Sequence, residues 1–349
     1  MGQSLDRFYD EIVFGLLSLF GAWSEHVDEQ DWAFDGTVGL LTVRAVDGSI
    51  AIRRTDQDRV TVHARKTVRG PVAAMVEAFS ARVRVHTDRT EESVSLYTLY
   101  PRPPLGCSVF VRYQVDVPAA MDVVLSTQNG GIDIMGVEGA VEAEAWNGNI
   151  RLKDTLGPAK LRTSYGAIAI SGMDGTVDAG SGAGRIDIRD ATGHIQLHTT
   201  RGGISIVDSE GTIQARSYDG DITVRGGRGR AELETANGNI TAGFEQLDAL
   251  GVFVSRKGNV TIAVRDGSAS IDVESMEGSV DLRLPAGFDG QVEAGTTDGA
   301  VHVDVPVDAS LASLNMLAGR LGKGGSALVR AQAFSGDVWL RTWAPDVQS

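Results

Sequence analysis

Gly130-Gly131-Ile132, Gly148-Asn149-Ile150, Gly166-Ala167-Ile168, Gly184-Arg185-Ile186, Gly202-Gly203-Ile204, Gly220-Asp221-Ile222 and Gly238-Asn239-Ile240 are one phrase repeated at intervals of eighteen residues. A second glycine set, at 139, 157, 175, 193, 211 and 229, falls midway, so a glycine stands at every ninth position from 130 to 238. Fixed-period self-similarity marks a repeat architecture, in which each unit buries its apolar side against its neighbours. Within each nine-residue half the apolar residues stand two apart, as in Ile150 and Leu152, Ile168 and Ile170, Ile186 and Ile188, or Ile195 and Leu197. A period of two is a strand. The expected fold is all-β: a parallel β-solenoid with two short strands and two corners per turn of the chain. The corner glycines Gly130, Gly148, Gly166, Gly184, Gly202, Gly220 and Gly238 are expected to supply positive φ where the chain turns sharply. Thr163, Ser181, Thr199, Ser217 and Thr235 share the period and predict an inward hydroxyl ladder satisfying backbone groups at the corners.

Beyond Gly238 the phrase continues as Gly258-Asn259-Val260, Gly278-Ser279-Val280 and Gly299-Ala300-Val301, with intervals of 20, 20 and 21 that predict wider coils. Ten phrases at a strand spacing of about 4.8 Å give a stack on the order of 50 Å long. Around the repeat region, 121–306, the sequence predicts three further segments. Residues 1–33 carry a helix over 4–26, from Leu5, Phe8, Ile12, Leu16, Leu19, Phe20 and Trp23 at helical spacing. Residues 34–120 form a β-rich lead-in with one short helix, 71–83, opened by Pro71. Residues 307–349 form a cap: a helix through Leu311, Leu314, Leu317, Ala318 and Leu321, then strands at 327–333 and 336–343 containing a last phrase, Gly336-Asp337-Val338.

The net charge of -14 opposes nucleic-acid or anionic-lipid partners, which are bound by Lys and Arg. Residues 1–35 hold eight carboxylates against Arg7 alone, while 36–120 is mildly basic, so the first segment is expected to dock on the second. One cysteine, Cys107, excludes an internal disulfide framework and reads as a small apolar residue near a strand start. The uncharged run Ile12–Trp23 is twelve residues, too short to span a bilayer, and no basic signal segment opens the chain. The expected location is cytoplasmic, with peripheral association with the envelope as the alternative.

No catalytic, metal or cofactor constellation stands out. The Gly-Gly-x-Gly-x-Asp turn of calcium-binding β-rolls is absent. His194 and His198 lie four apart on one strand and face outward as solvated residues. Glu142 with Lys160 and Asp178, Glu144 with Arg162, and Arg216 with Glu234 form charge ladders one turn apart. Uninterrupted nine-residue spacing leaves no long loops to build a substrate cleft, so the chain is expected not to be an enzyme. The exposed aromatics Tyr165, Tyr218 and Trp146, beside the corners, are the candidate ligand contacts. The expected partners are further copies of the chain, as an oligomer or filament, or a protein or glycan.

The Gly-x-Ile phrases Gly148-Asn149-Ile150, Gly220-Asp221-Ile222 and Gly238-Asn239-Ile240, with the upstream strand ending Val115-Asp116-Val117-Pro118, resemble the bacterial DUF4097 family of adhesin-like β-strand-repeat proteins. The resemblance covers Phe34 to Trp343. It implies a β-repeat protein of adhesion type, often found beside envelope-stress genes, and carries over no catalytic residues.

Overall fold

The computed structural model describes residues 23–35, 38–99 and 101–343. The protein is all-β, with one helix among the described residues, α1 (Ala73–Ser80), inside the segment where Pro71 predicts one. From residue 123 to 224 the strands pair in parallel with the segment eighteen residues on. On one face Ile150, Ile168, Ile186, Ile204, Ile222 and Ile240 stand in register. On the other, Val141, Ala159, Val177, Ile195, Ile213 and Ala231 do the same. Both columns are buried, and the core lies between the two faces. The 20-residue intervals also hold, since Ile240 pairs with Val260 and Val260 with Val280. The extra residues enlarge the corner around 244–251, which Phe244 and Leu247 fill from inside. Gly227 leaves the room: a Cβ there would meet the Phe244 ring at 2.9 Å.

The reason for the corner glycines differs from the expected one. Gly130, Gly202 and Gly220 have φ of 150, 147 and 158°, but Gly148, Gly166, Gly184 and Gly238 are not among the positive-φ residues. What all seven share is steric. A Cβ on Gly148 would stand 1.8 Å from the carbonyl oxygen of Gly130, and one on Gly184 1.9 Å from that of Gly166. Each corner sits on the carbonyl of the one before it. The left-handed turns belong to another eighteen-residue column on the opposite corner: Gly136, Asp154, Gly172, Asp190, Asp208 and Gly226, with φ from 49 to 76°. Glycine and aspartate are residues that tolerate this conformation.

The hydroxyl ladder forms. Thr163 donates to the carbonyl of Gly148 at 2.9 Å, Ser181 to Gly166 at 2.9 Å, Thr199 to Gly184 at 3.3 Å, Ser217 to Gly202 at 3.2 Å and Thr235 to Gly220 at 2.9 Å. It runs on through Ser255 and Ser275.

Both ends depart from chain order. At the start, Leu40–Asp47 and Ile50–Thr55 stack on Asp122–Asn129 and Ile132–Met135, so Gly48 lies directly before Gly130. The intervening strands Arg59–Gly70, Arg84–Arg89, Ser93–Leu99 and Ser108–Pro118 extend the stack outward on its far side. Residues 4–22 of the helix expected over 4–26 lie outside the described residues; its last residues are strand, because Ser24–Asp35 pairs antiparallel with Arg59–Gly70. The acidic-on-basic docking does occur there: Glu25 meets Arg69 at 3.0 Å, Asp28 meets Lys66 at 3.0 Å and Asp31 meets His63 at 2.7 Å.

At the other end, the expected helix through Leu311 and Leu321 is a hairpin, Val307–Ala312 and Met316–Leu321. The leucine spacing fits a helix, but Leu317 and Leu321 are buried while Leu311 and Leu314 are exposed. Antiparallel pairing of Met316–Leu321 on Gly290–Asp298 prevails over a weak propensity interrupted by Gly319. The last repeat is also not terminal. Ala327–Ser335 lies between Ser270–Glu277 and Gly290–Asp298, parallel to both, and Val338–Thr342 between Val280–Leu284 and Val301–Asp304. Gly336 therefore stacks on Gly278, and Gly299 on Gly336.

Candidate functional groove

The outward residues of strand Ile168–Ala183 on the second face are Asp178, Gly180 and Gly182. The positions of Gly180 and Gly182 on neighbouring strands hold Glu144 and Trp146, Arg162 and Ser164, His198 and Thr200, and Arg216 and Tyr218. Two glycines side by side leave a hollow that the flanking strands wall. It is a groove of about 920 Å³ whose floor is Gly180 and Gly182. One wall is Trp146 and Tyr165, in edge-to-face contact with ring centroids 6.1 Å apart. The other is formed by His198, Arg201 and Arg216. Gln196, Gln214, Ser164 and Thr200 present amides and hydroxyls between the walls.

Of the three aromatics singled out in the sequence, Trp146 and Tyr165 line this groove, 56% and 54% exposed. Tyr218, although 57% exposed, is not among its lining residues. It occupies Trp146's column, four strands on, roughly 19 Å away at the ordinary strand spacing. The charged ladders flank the hollow. Lys160 meets Glu142 at 2.8 Å, and Arg216 meets Glu234 at 3.2 Å and also pairs with Glu232. Arg162 turns away from Glu144 to pair with Asp178, in the strand that carries the glycines. Gly180 allows this, since its missing side chain leaves the Arg162 stem room to lie across it.

A second groove, about 710 Å³, lies on the other side of Trp146 and shares Trp146 and Glu144 with the first. It is walled by Tyr97 and Leu99 and bottomed by Ala45 and Leu96. His86 stacks on Tyr97 with centroids 5.4 Å apart, and the bond between the Tyr97 hydroxyl and Asp88 pushes the phenol above its ordinary pKa. The two grooves make one trough along the face with Trp146 as the ridge between them. Sequence reasoning did not identify the trough. Its signal was the pair Gly180 and Gly182, which lie outside the nine-residue series.

Elsewhere the predicted residues have plainer roles. His194 and His198 are exposed and outward, and no group of three or more His, Cys, Asp or Glu among the described residues could hold a metal ion. Cys107 is half-buried just before strand Ser108–Pro118, and burial pushes its thiol pKa up. Among the described residues no helix is long and apolar enough to cross a membrane.

No protein-family model and no curated protein sequence matches the chain. Solved structures with a likeness to it include a "putative cell adhesion protein" of Clostridium sporogenes, 8% identical, covering 91% of this chain and 100% of that one, with a TM-score of 0.23. Others are a "putative lipid binding protein" of Parabacteroides distasonis, 12% identical over 74% and 97% with a TM-score of 0.34, and a "putative adhesin" of Bacteroides fragilis, 13% identical over 74% and 97% with a TM-score of 0.30.

Proposed function

We propose that this chain is a non-enzymatic, adhesion-type β-solenoid of the DUF4097 kind, which binds an extended oligosaccharide along the trough of its second face. The solenoid reading rests on the eighteen-residue parallel register and the glycine-on-glycine corners. The binding reading rests on one observation: Trp146 stands exposed as a ridge between two grooves whose lining sets aromatic rings, amides and hydroxyls beside charged groups. Aromatic faces take the apolar sides of sugar rings, while amides and hydroxyls take their hydroxyl groups. Among the described residues no serine or threonine hydroxyl in either groove is hydrogen-bonded to a histidine, the pairing that activates a hydroxyl nucleophile.

Retention on an oligosaccharide array tests this. Loss of an aromatic platform removes about 1–2 kcal/mol, roughly tenfold in affinity. Trp146→Ala with Tyr165→Ser is expected to abolish retention, and Tyr218→Ser to spare it. Unchanged retention by the double variant rejects the groove.

Self-association is a second reading, favoured by the far end of the stack. Among the described residues strand Val307–Ala312 pairs on one side only, and Leu311, Leu314 and Met316 beside it are exposed. Unpaired apolar edges invite pairing with another chain. Light scattering at rising concentration is expected to show mass growth that Leu311→Lys with Leu314→Lys removes; a constant monomer mass rejects it.

A further inference from the structure

We propose that the groove selects an acidic oligosaccharide, a chain carrying sparse carboxylates, with Arg201 as the residue that reads the acid; the inference rests on the glycan-binding reading above. The chain as a whole is strongly acidic, at -14, and in the first groove two of the three arginines are already engaged. Arg162 is paired with Asp178, and Arg216 with Glu232 and Glu234. Arg201 is exposed on the groove wall; its carbonyl accepts from the Gly184 N–H at 2.9 Å, but its guanidinium makes no ion pair or hydrogen bond among the described residues. Its register neighbour Asp219 does not take it up; the Asp219 carboxylate accepts instead from the Asn237 amide at 2.7 Å. A free guanidinium in an acidic protein keeps its full capacity for a carboxylate, which it binds through two parallel N–H donors.

Position supports the same assignment. Tyr165, Ala183 and Arg201 stand in one column eighteen residues apart, so Tyr165 and Arg201 are about 10 Å apart with only a methyl between them. A sugar ring lying on Tyr165 would place an exocyclic carboxylate over Ala183, within reach of the long Arg201 side chain. The glycine floor lets the chain sink to the backbone there. A phosphate-dense polymer fits poorly, because its binding needs many cations along the track, and of the four arginines lining the trough Arg162 and Arg216 are already paired, leaving Arg44 and Arg201.

The probes are a polyuronate oligomer and its carboxyl-reduced neutral counterpart, titrated into the full chain at low salt. Wild type is expected to bind the acidic form roughly tenfold more tightly, a preference that falls as salt is raised. Arg201→Gln is expected to erase the preference, weakening the acidic form about tenfold more than the neutral form. Trp146→Ala is expected to weaken both forms alike. Equal binding of the two forms by wild type, or a preference that survives Arg201→Gln, overturns the acidic selection while the glycan groove stands. Binding of neither form overturns both.

Discussion

Alanine at Gly184 separates steric exclusion from backbone preference as the reason for the repeated glycine. Its Cβ would stand 1.9 Å from the Gly166 carbonyl oxygen and 2.5 Å from the carbonyl carbon. Both are backbone atoms and cannot swing aside. Restoring ordinary contact at about 3.4 Å parts the two turns by roughly 1.5 Å, against a strand spacing of about 4.8 Å. That opening strains the bond from the Ile168 N–H to the Arg185 carbonyl, 3.0 Å, and the bond from the Ser181 hydroxyl to the Gly166 carbonyl, 2.9 Å. Each such bond contributes about 1 kcal/mol, and overpacking adds about 1–3. The expected loss is therefore about 3–5 kcal/mol, a large part of a domain's usual net stability. Gly287 is the matched control, with φ of 82° and nothing within 4 Å of its added Cβ. Alanine there meets the left-handed penalty alone, about 1–2 kcal/mol. Urea unfolding followed by far-ultraviolet circular dichroism compares the two, with slopes inspected alongside midpoints because stacked repeats can unfold in parts. If Gly184→Ala shifts the midpoint no further than Gly287→Ala, stacking is not what the glycine serves.

Thr235→Val removes the donor to the Gly220 carbonyl at a fully buried site and is expected to lower stability by about 1–3 kcal/mol, with Thr235→Ser restoring most of it in the same unfolding assay. Lys66 is buried, donates to the carbonyls of Ser80 and Val83 at 3.1 Å each and pairs with Asp28, so Lys66→Met is expected to speed amide exchange in Ser24–Asp35 while the central strands keep their protection. The Lys66 hydrogen bond holds the Asp28 carboxyl below its ordinary pKa of 3.8. That stabilisation is present above the unfolded value and is lost as pH falls through the lower folded value. Stability measured from pH 6 to pH 2 should therefore drop more steeply in wild type than in Asp28→Asn; identical acid limbs reject the coupling. Truncation after Gly322 removes a repeat with neighbours on both sides, so strands Gly290–Asp298 and Val301–Asp304 are expected to lose exchange protection. Full protection of those strands in the truncated chain would contradict the threaded topology.

The inward half of this protein was legible because packing repeats it. A fixed alternation of apolar residues, a glycine wherever one corner lies on the last, and a hydroxyl aimed at that glycine's carbonyl all recur at one spacing. The order of the stack at its ends was not legible. The phrases at Gly278, Gly299 and Gly336 are interchangeable as corner units, so the sequence marks each as a member of the column without marking its place in it. Only the hairpin Val307–Leu321, misread through leucines that fit either period, carries the chain past the slot that Ala327–Thr342 then fills. The groove is a third case. Trp146 and Tyr165 could be found as large apolar residues beside a corner, but the hollow between them and Arg201 is made by missing side chains, Gly180 and Gly182. Inward positions are constrained by the neighbouring turns, whereas outward positions are free to vary. In a repeat protein the proposed binding site is therefore read from the breaks in the outward pattern: two adjacent glycines, an arginine whose guanidinium is unpaired among the described residues and a tryptophan ridge fall within four successive strands of this face, and the regular phrase that fixes the fold predicts none of them.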